Sequence, residues 1–284
     1  MTGGNLDLAA WIGREKTACE TLSLFPAKAL ASLLNHAREL RRGDPLPPGW
    51  QWLYFLDTPT PERTGTDGHP LRGDFLPPIS LERRMWASGA FTVTSPLIIG
   101  EPAERMSRIA SVTRKDGGGG PLIFVVVSHS FSQGGAIRLI EEQTLVYRAM
   151  PAGPQALEPA QPASSSLWAR QGPVDPVTLF KYSALTFNGH RIHYDRDYAA
   201  SVEHYPGLVV QGPLLATLLL DLLAHERPDA PLASFAFRAQ APTFDSDVLT
   251  LHGDPEPGGA RLWTHNGRGV GMKAQARFAG EASS

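Results

Sequence analysis

Cysteine is nearly absent: Cys19 stands alone in 284 residues. One thiol excludes an internal disulfide and a cysteine-built metal site. Long apolar runs are scarce too. The densest, PLLATLLLDLLA from Pro213 to Ala224, falls short of the about 20 apolar residues that cross a bilayer. The N-terminus, MTGGNLDLAAWIGREK, shows no basic segment followed by an apolar run. No secretory signal is visible, and a cytoplasmic location is the expectation. Net charge is only −2, which argues against a broad phosphate-tracking surface and so against nucleic acid as a partner. Local basic clusters that suit one phosphorylated cofactor remain. With 42% apolar and 19% charged residues, the chain is globular and long enough for two domains.

What is present concentrates in Lys181 to Leu219, KYSALTFNGHRIHYDRDYAASVEHYPGLVVQGPLLATLL. Asn188, His190 and His193 sit where no helical apolar period holds, and Gly189 interrupts any regular element, so this is a loop. Asp195 to Val202 reads as a short helix. Tyr205-Pro206-Gly207 is a turn. Gly212-Pro213 opens a second helix with proline at its start. That helix is apolar on nearly every face, so it is expected to lie buried inside a wrapping sheet. Its start then offers free backbone N–H groups and the positive end of the helix dipole. Imidazoles on a loop and an anion-stabilising helix start are thus brought together. His193 suits proton transfer near neutrality. Asn188 cannot be a base but can orient a water, and His190 is a second imidazole for the same cleft. The plainer alternative is a capped turn and a satisfied core histidine. His190 and His193 have no third ligand at a convincing spacing beyond Asp195 and Asp197, so no metal is expected.

The run YSALTFNGHRIHYDRDYA, followed by YPGLVVQGPLLA, resembles the catalytic segment of the MaoC-type (R)-specific enoyl-CoA hydratases. Within them it is most similar to the branch of mitochondrial 3-hydroxyacyl-thioester dehydratase and mesaconyl-C4-CoA hydratase. The resemblance implies an α+β double hotdog: two curled antiparallel sheets, each around a central helix. It implies a hydro-lyase acting on an acyl-CoA thioester, with no cofactor beyond the coenzyme A of the substrate. A homodimer is compatible with it. In the family an Asp lies five residues before the catalytic His, and both hold the water. His193 takes the His position, and Asn188 stands where the family has Asp. Gly212 matches the glycine whose N–H binds the thioester carbonyl. Tyr205 and Gln211 are secondary candidates beside His190.

The rest of the chain fits one hotdog on each side of a linker. Leu6 to Ile12 and Thr21 to Leu40 read as helical, and Trp50 to Leu56 as a buried strand or core segment. Asp57 to Ser80, rich in proline and glycine, is a long structured loop, and such loops are functional or disordered. It contains Asp67-Gly68-His69-Pro70 and Arg72, and Arg83-Arg84-Met85-Trp86 follows. Relatives in the same branch carry a similar loop and strand start. Arg72, Arg84, Trp86, Arg191 and Tyr194 are therefore the expected substrate contacts, since a guanidinium fork suits a carboxylate or a phosphate. Four strands follow between Arg84 and Arg148. His129, on one of them, reads as facing solvent or a neighbour. The expected division is residues 1–150, a non-catalytic hotdog that shapes the acyl pocket; 151–175, a linker; and 176–284, the catalytic hotdog. Three functions are in play: hydration of a short branched dicarboxylic enoyl-CoA, dehydration of a fatty 3-hydroxyacyl thioester, and non-catalytic binding of acyl-CoA.

Overall fold

Segments that alternate buried and exposed side chains between glycine and proline turns become the long strands of this protein. The computed structural model describes residues 7–36, 39–117 and 120–280. In chain order they form β1 (Glu15–Thr21), α1 (Leu24–Leu33), β2 (Arg83–Val93), β3 (Pro102–Gly117), β4 (Gly120–Gln133) and β5 (Ala136–Arg148). The second half runs β6 (Trp168–Gln171), α2 (Pro176–Leu185), α3 (Arg196–Ser201), α4 (Gly212–Glu226), β7 (Leu232–Ala239), β8 (Thr250–Glu256), β9 (Gly259–His265) and β10 (Val270–Phe278). The strands order as β1-β3-β4-β5-β2-β7-β10-β9-β8-β6. Each half thus contributes five strands in the same topological order, and β2 meets β7 antiparallel at the middle, with Ser88 opposite Arg238. The two expected sheets are therefore continuous. Gly134 and Gly135, both with positive φ, close the β4–β5 hairpin with the backbone that a two-residue turn demands.

The sheet curls around α1 and α4. Leu214, Leu218, Leu219 and Leu222 of α4 are at most 1% exposed. A helix apolar all round has no solvent face to offer, and this one packs on β8, β9 and β10. Truncating one such leucine to alanine costs about 2–5 kcal/mol. α1 is shorter and buries only Ala27, Leu30 and Ala31. Beside it the segment expected as a buried strand or core segment, Trp50 onward, is a buried 3-10 turn over Trp50–Leu53. Gly49 leads into it. It sits at φ 87°, and a Cβ there would lie 2.4 Å from Leu220 Cδ1, so only glycine lets the turn approach α4.

Other expectations shift at their edges. The helical reading from Leu6 reduces to one turn, Ala9–Trp11, among the described residues, and Leu6 lies outside them. The second helix begins at Leu24 rather than Thr21, because Glu15–Thr21 pairs with β3. The stretch expected as a linker contains β6, which pairs with β8 at the far edge of the sheet. Neither edge strand alternates apolar and polar residues, so backbone pairing defines them rather than burial. Among the described residues no helix is long and apolar enough to cross a membrane.

Candidate active site

α2 brings the chain to the site. Asp175 caps it by accepting from Val177 N and Thr178 N. After it, Asn188 Oδ1 accepts from His190 N at 3.0 Å, an Asx turn that aims the next residues inward. Arg191–His193 is a 3-10 turn, and Asp195 caps α3 by accepting from Tyr198 N. The Gly/Pro-rich loop of the other half lies directly on this turn. Arg191 N donates to Asp67 O at 2.9 Å. A Cβ on Gly68 would fall 1.8 Å from Gly189 O. Two glycines, one from each half, thus let two backbones cross in contact.

Three imidazoles meet beneath that crossing. His193 is 7% exposed, and its Nδ1 lies 2.7 Å from Val209 O. A carbonyl only accepts, so Nδ1 carries the proton and Nε2 presents a lone pair. Burial, then the neighbouring His190, push the His193 pKa down to about 3 against the pull of the Val209 carbonyl. The ring is therefore neutral, in the base form. His190 packs edge-on at 5.3 Å between centroids, with Nε2 3.2 Å from Glu203 Oε1. Glu203 is also ion-paired to Arg83, at 3.1 Å, both side chains at most 5% exposed. His69 lies on the other side of His190, centroids 4.0 Å apart, and its Nδ1 is 3.1 Å from Asp67 Oδ2. Burial holds the His69 pKa down to about 3 as well.

Among the described residues, Asp67, His69 and His190 form a group with ligand atoms within 4.8 Å of one another. The His69 and His190 rings, however, lie one over the other with a 38° tilt.

The start of α4 faces these rings across a cleft of about 1800 Å³ that both halves line. Gly212 is the first helical residue, so its N–H has no partner within the helix. A Cβ there would meet only Trp86 O, at 3.7 Å. Gln211 fixes this end: its Nε2 donates to Leu179 O at 3.0 Å and Ser183 Oγ at 2.9 Å. Its Oε1 stays buried without a partner. Tyr205 lies under the Arg83 guanidinium at 4.5 Å, and burial raises its hydroxyl pKa. Opposite the helix start, β2 carries a bulge between Trp86 and Ser88, a device that re-aims side chains beside sites.

His193, His190, Asn188, Gly212, Tyr205, Gln211, Arg84 and Trp86 all line the cleft. Three expected substrate contacts do not. Arg72 donates to the carbonyls of Ile79, Leu81 and Glu82 and pins its own loop. Arg191 is held by Asp195 Oδ2 at 2.7 Å and by Thr66 O, and its guanidinium covers the Tyr198 ring. Tyr194, 48% exposed, donates to Gly189 O. Arg191 and Tyr194 are occupied in holding the turn and Arg72 in holding its own loop, and none of the three lines the cleft. His69, Arg83 and Glu203 join the site unforeseen. Asp67-Gly68-His69 was visible as a turn motif, but only the fold brings it to His190.

A family model described as hydroxyacyl-thioester dehydratase type 2 matches residues 49–245. A mesaconyl-C(4)-CoA hydratase of Chloroflexus aurantiacus is 44% identical over 251 residues, covering 88% of this chain and 89% of that protein. A mitochondrial hydroxyacyl-thioester dehydratase type 2 of Schizosaccharomyces pombe is 26% identical over 234 residues, 72% of this chain and 77% of that one. Among solved structures, a Mycobacterium tuberculosis protein described as having a double hotdog fold superposes with a TM-score of 0.58 at 13% identity, covering 94% of this chain and 96% of that one.

Proposed function

Because the chain belongs to the hydroxyacyl-thioester dehydratase type 2 family, we propose that it hydrates an enoyl-CoA thioester reversibly, with the mesaconyl-C4 group as its first substrate. One observation carries the reading. A neutral imidazole, His193, has its proton committed to Val209 O and its lone pair free, in the same cleft as Gly212, the first residue of α4.

The groups divide the work as follows. Gly212 N–H and the dipole of α4 hold the thioester oxygen, where charge develops as the enolate forms. Preorganised donors of this kind are worth about 2.7–4 kcal/mol in other enzymes. His193 Nε2 takes a proton from water as the hydroxyl oxygen bonds to C3. The imidazolium then returns a proton to C2 as the enolate collapses. Asn188 keeps the turn that presents His193, and its amide nitrogen has no partner among the described residues, which suits it to orient the water. Glu203, reached through His190, offsets the positive charge that His193 carries in passing. Arg84 stands on the cleft wall near His69 and is suited to the carboxylate that a C4 dicarboxylic group carries at C3.

Run backward, the same groups remove water from a 3-hydroxyacyl thioester. The test is a spectrophotometric screen of crotonyl-, octenoyl- and mesaconyl-C4-CoA. Loss of the enoyl absorbance, fastest with mesaconyl-C4-CoA and absent in His193→Ala, is expected. Binding of the esters with no loss of absorbance would instead mark a non-catalytic acyl-CoA carrier.

A further inference from the structure

The cleft does not end where a four-carbon acyl group would. From Trp86 on β2 it continues across β5 and β4 to β3, along the inner face of the N-terminal half. That is three strand spacings, about 14 Å. Val127 and Leu145 line its middle, while Arg105, Ser107, His129 and Gln143 line its far end. This end contains polar atoms that the protein leaves unsatisfied. Arg105 Nε and His129 Nε2 are both buried and without a partner. His129 is 7% exposed, and its other nitrogen is 2.8 Å from Ser107 Oγ. Glu141, the nearby buried carboxyl, is already held by Gln51, Trp52 and Gln143. Asp57, Glu141 and Glu20 act on Arg105 through space, without a hydrogen bond. Arg105 lines the chamber and makes no hydrogen bond to another described residue, and a buried guanidinium N–H is costly to leave unpaired. A hydrocarbon chain filling the chamber would make that cost permanent, whereas an acceptor at the chain's end would remove it.

We propose that this chamber is a second recognition site, in which Arg105 and His129 bind the terminal carboxylate of acyl groups longer than C4. The enzyme then acts on ω-carboxy-2-enoyl-CoA thioesters as a substrate class of its own. The proposal rests on the hydratase reading above for its chemistry, but not for its binding step. Arg105 supplies a charged N–H, and His129 a neutral ring N–H when its other nitrogen accepts from Ser107. Together they match a carboxylate and reject a methyl terminus.

Two arms test it on the full chain. In the first, kcat/KM is compared for 2-decenedioyl-CoA against 2-decenoyl-CoA, and for 2-dodecenedioyl-CoA against 2-dodecenoyl-CoA, chains long enough to approach the far end. The carboxylated member of each pair is expected to lead by about tenfold or more, the worth of a charged hydrogen-bonded pair. Arg105→Met should collapse that ratio toward one, and Arg105→Lys should recover part of it. Equal rates within each pair, or a ratio that Arg105→Met leaves intact, would overturn the site. The second arm measures binding of saturated dodecanedioyl-CoA and dodecanoyl-CoA by calorimetry. Tighter binding of dodecanedioyl-CoA, lost in Arg105→Met, supports the site even if no enoyl ester is hydrated, an outcome that would sink only the catalytic reading. Equal binding of the two esters would overturn the site whatever the catalytic result.

Discussion

The two halves share a topology and differ in where they spend their extra chain. In the N-terminal half, β1 runs almost directly into the central helix, and the long Gly/Pro-rich segment follows that helix. In the C-terminal half the order is reversed. α2, the histidine turn and α3 all come between β6 and the central helix, and α4 then returns to β7 through a short turn. Only in the C-terminal half, then, is the start of the central helix met by a loop rich in chemistry. The strands differ as well. β2 to β5 have 11, 16, 14 and 13 residues, whereas β7 to β10 have 8, 7, 7 and 9. Long strands surround a 10-residue helix in one half, and short strands a 15-residue helix in the other. The C-terminal half sets a helix start beside the histidine turn, and the N-terminal half gives long strands to the cleft wall.

The strongest way to break this division of labour is at His193. His193→Ala should lower the hydration rate by about 10²–10⁴, the usual worth of a positioned base, with an unchanged circular dichroism spectrum. Near-normal turnover would move the chemistry elsewhere, perforce toward His190 or His69. Gly68→Ala tests the contact between halves. Its Cβ has no space beside Gly189 and its φ of 87° suits glycine, so the loop should undock. Turnover is expected to fall at least tenfold, and a thermal melt should show lost stability; a variant that melts and reacts like the parent would mean that the crossing is dispensable. Glu203→Leu strips Arg83 of its buried partner and should destabilise the fold by about 3–5 kcal/mol in a denaturant titration.

Acidity sharpens the comparison, because buried neutral histidines lie in both halves. His193 and His69 keep folded pKa values of about 3, and His129 about 4, all below the 6.5 of an unfolded histidine. Below pH 6.5 the unfolded chain takes up protons that the fold refuses. Stability should therefore be flat above pH 6.5 and fall as pH drops toward 4. A melting temperature constant from pH 7 to pH 4.5 would show that these rings are not held neutral. The smallest effect belongs to Tyr194→Phe. This exposed residue gives up one bond to Gly189 O, and KM should stay within about twofold, in line with the small cost of exposed substitutions.

Much of this division was legible in the sequence. The buried helix from Gly212 was readable because twelve residues in a row are apolar enough to demand a wrapping, and the Asn188–His193 turn because Gly189 forbids a regular element. The long strands were readable from their alternation. β1 and β6 were not, since an edge strand held by its backbone needs no apolar pattern. Arg191 and Tyr194 do not line the cleft, because a motif fixes neighbours along the chain and not the direction of each side chain. Burial of one member of a turn exposes the next. His69 and Glu203 could not be tied to the site by spacing at all, for each reaches His190 only through tertiary contact.

The seam between β2 and β7 has a further consequence. Each half alone would end in an open strand edge, with its row of amide donors and acceptors unsatisfied and ready to recruit any extended chain nearby. Joining the two by residues 151–167 makes the intended neighbour present at millimolar effective concentration, so that the wrong partner loses the race before it meets the edge. Genes cut at this tether should yield fragments that are insoluble apart and rescued only when made together.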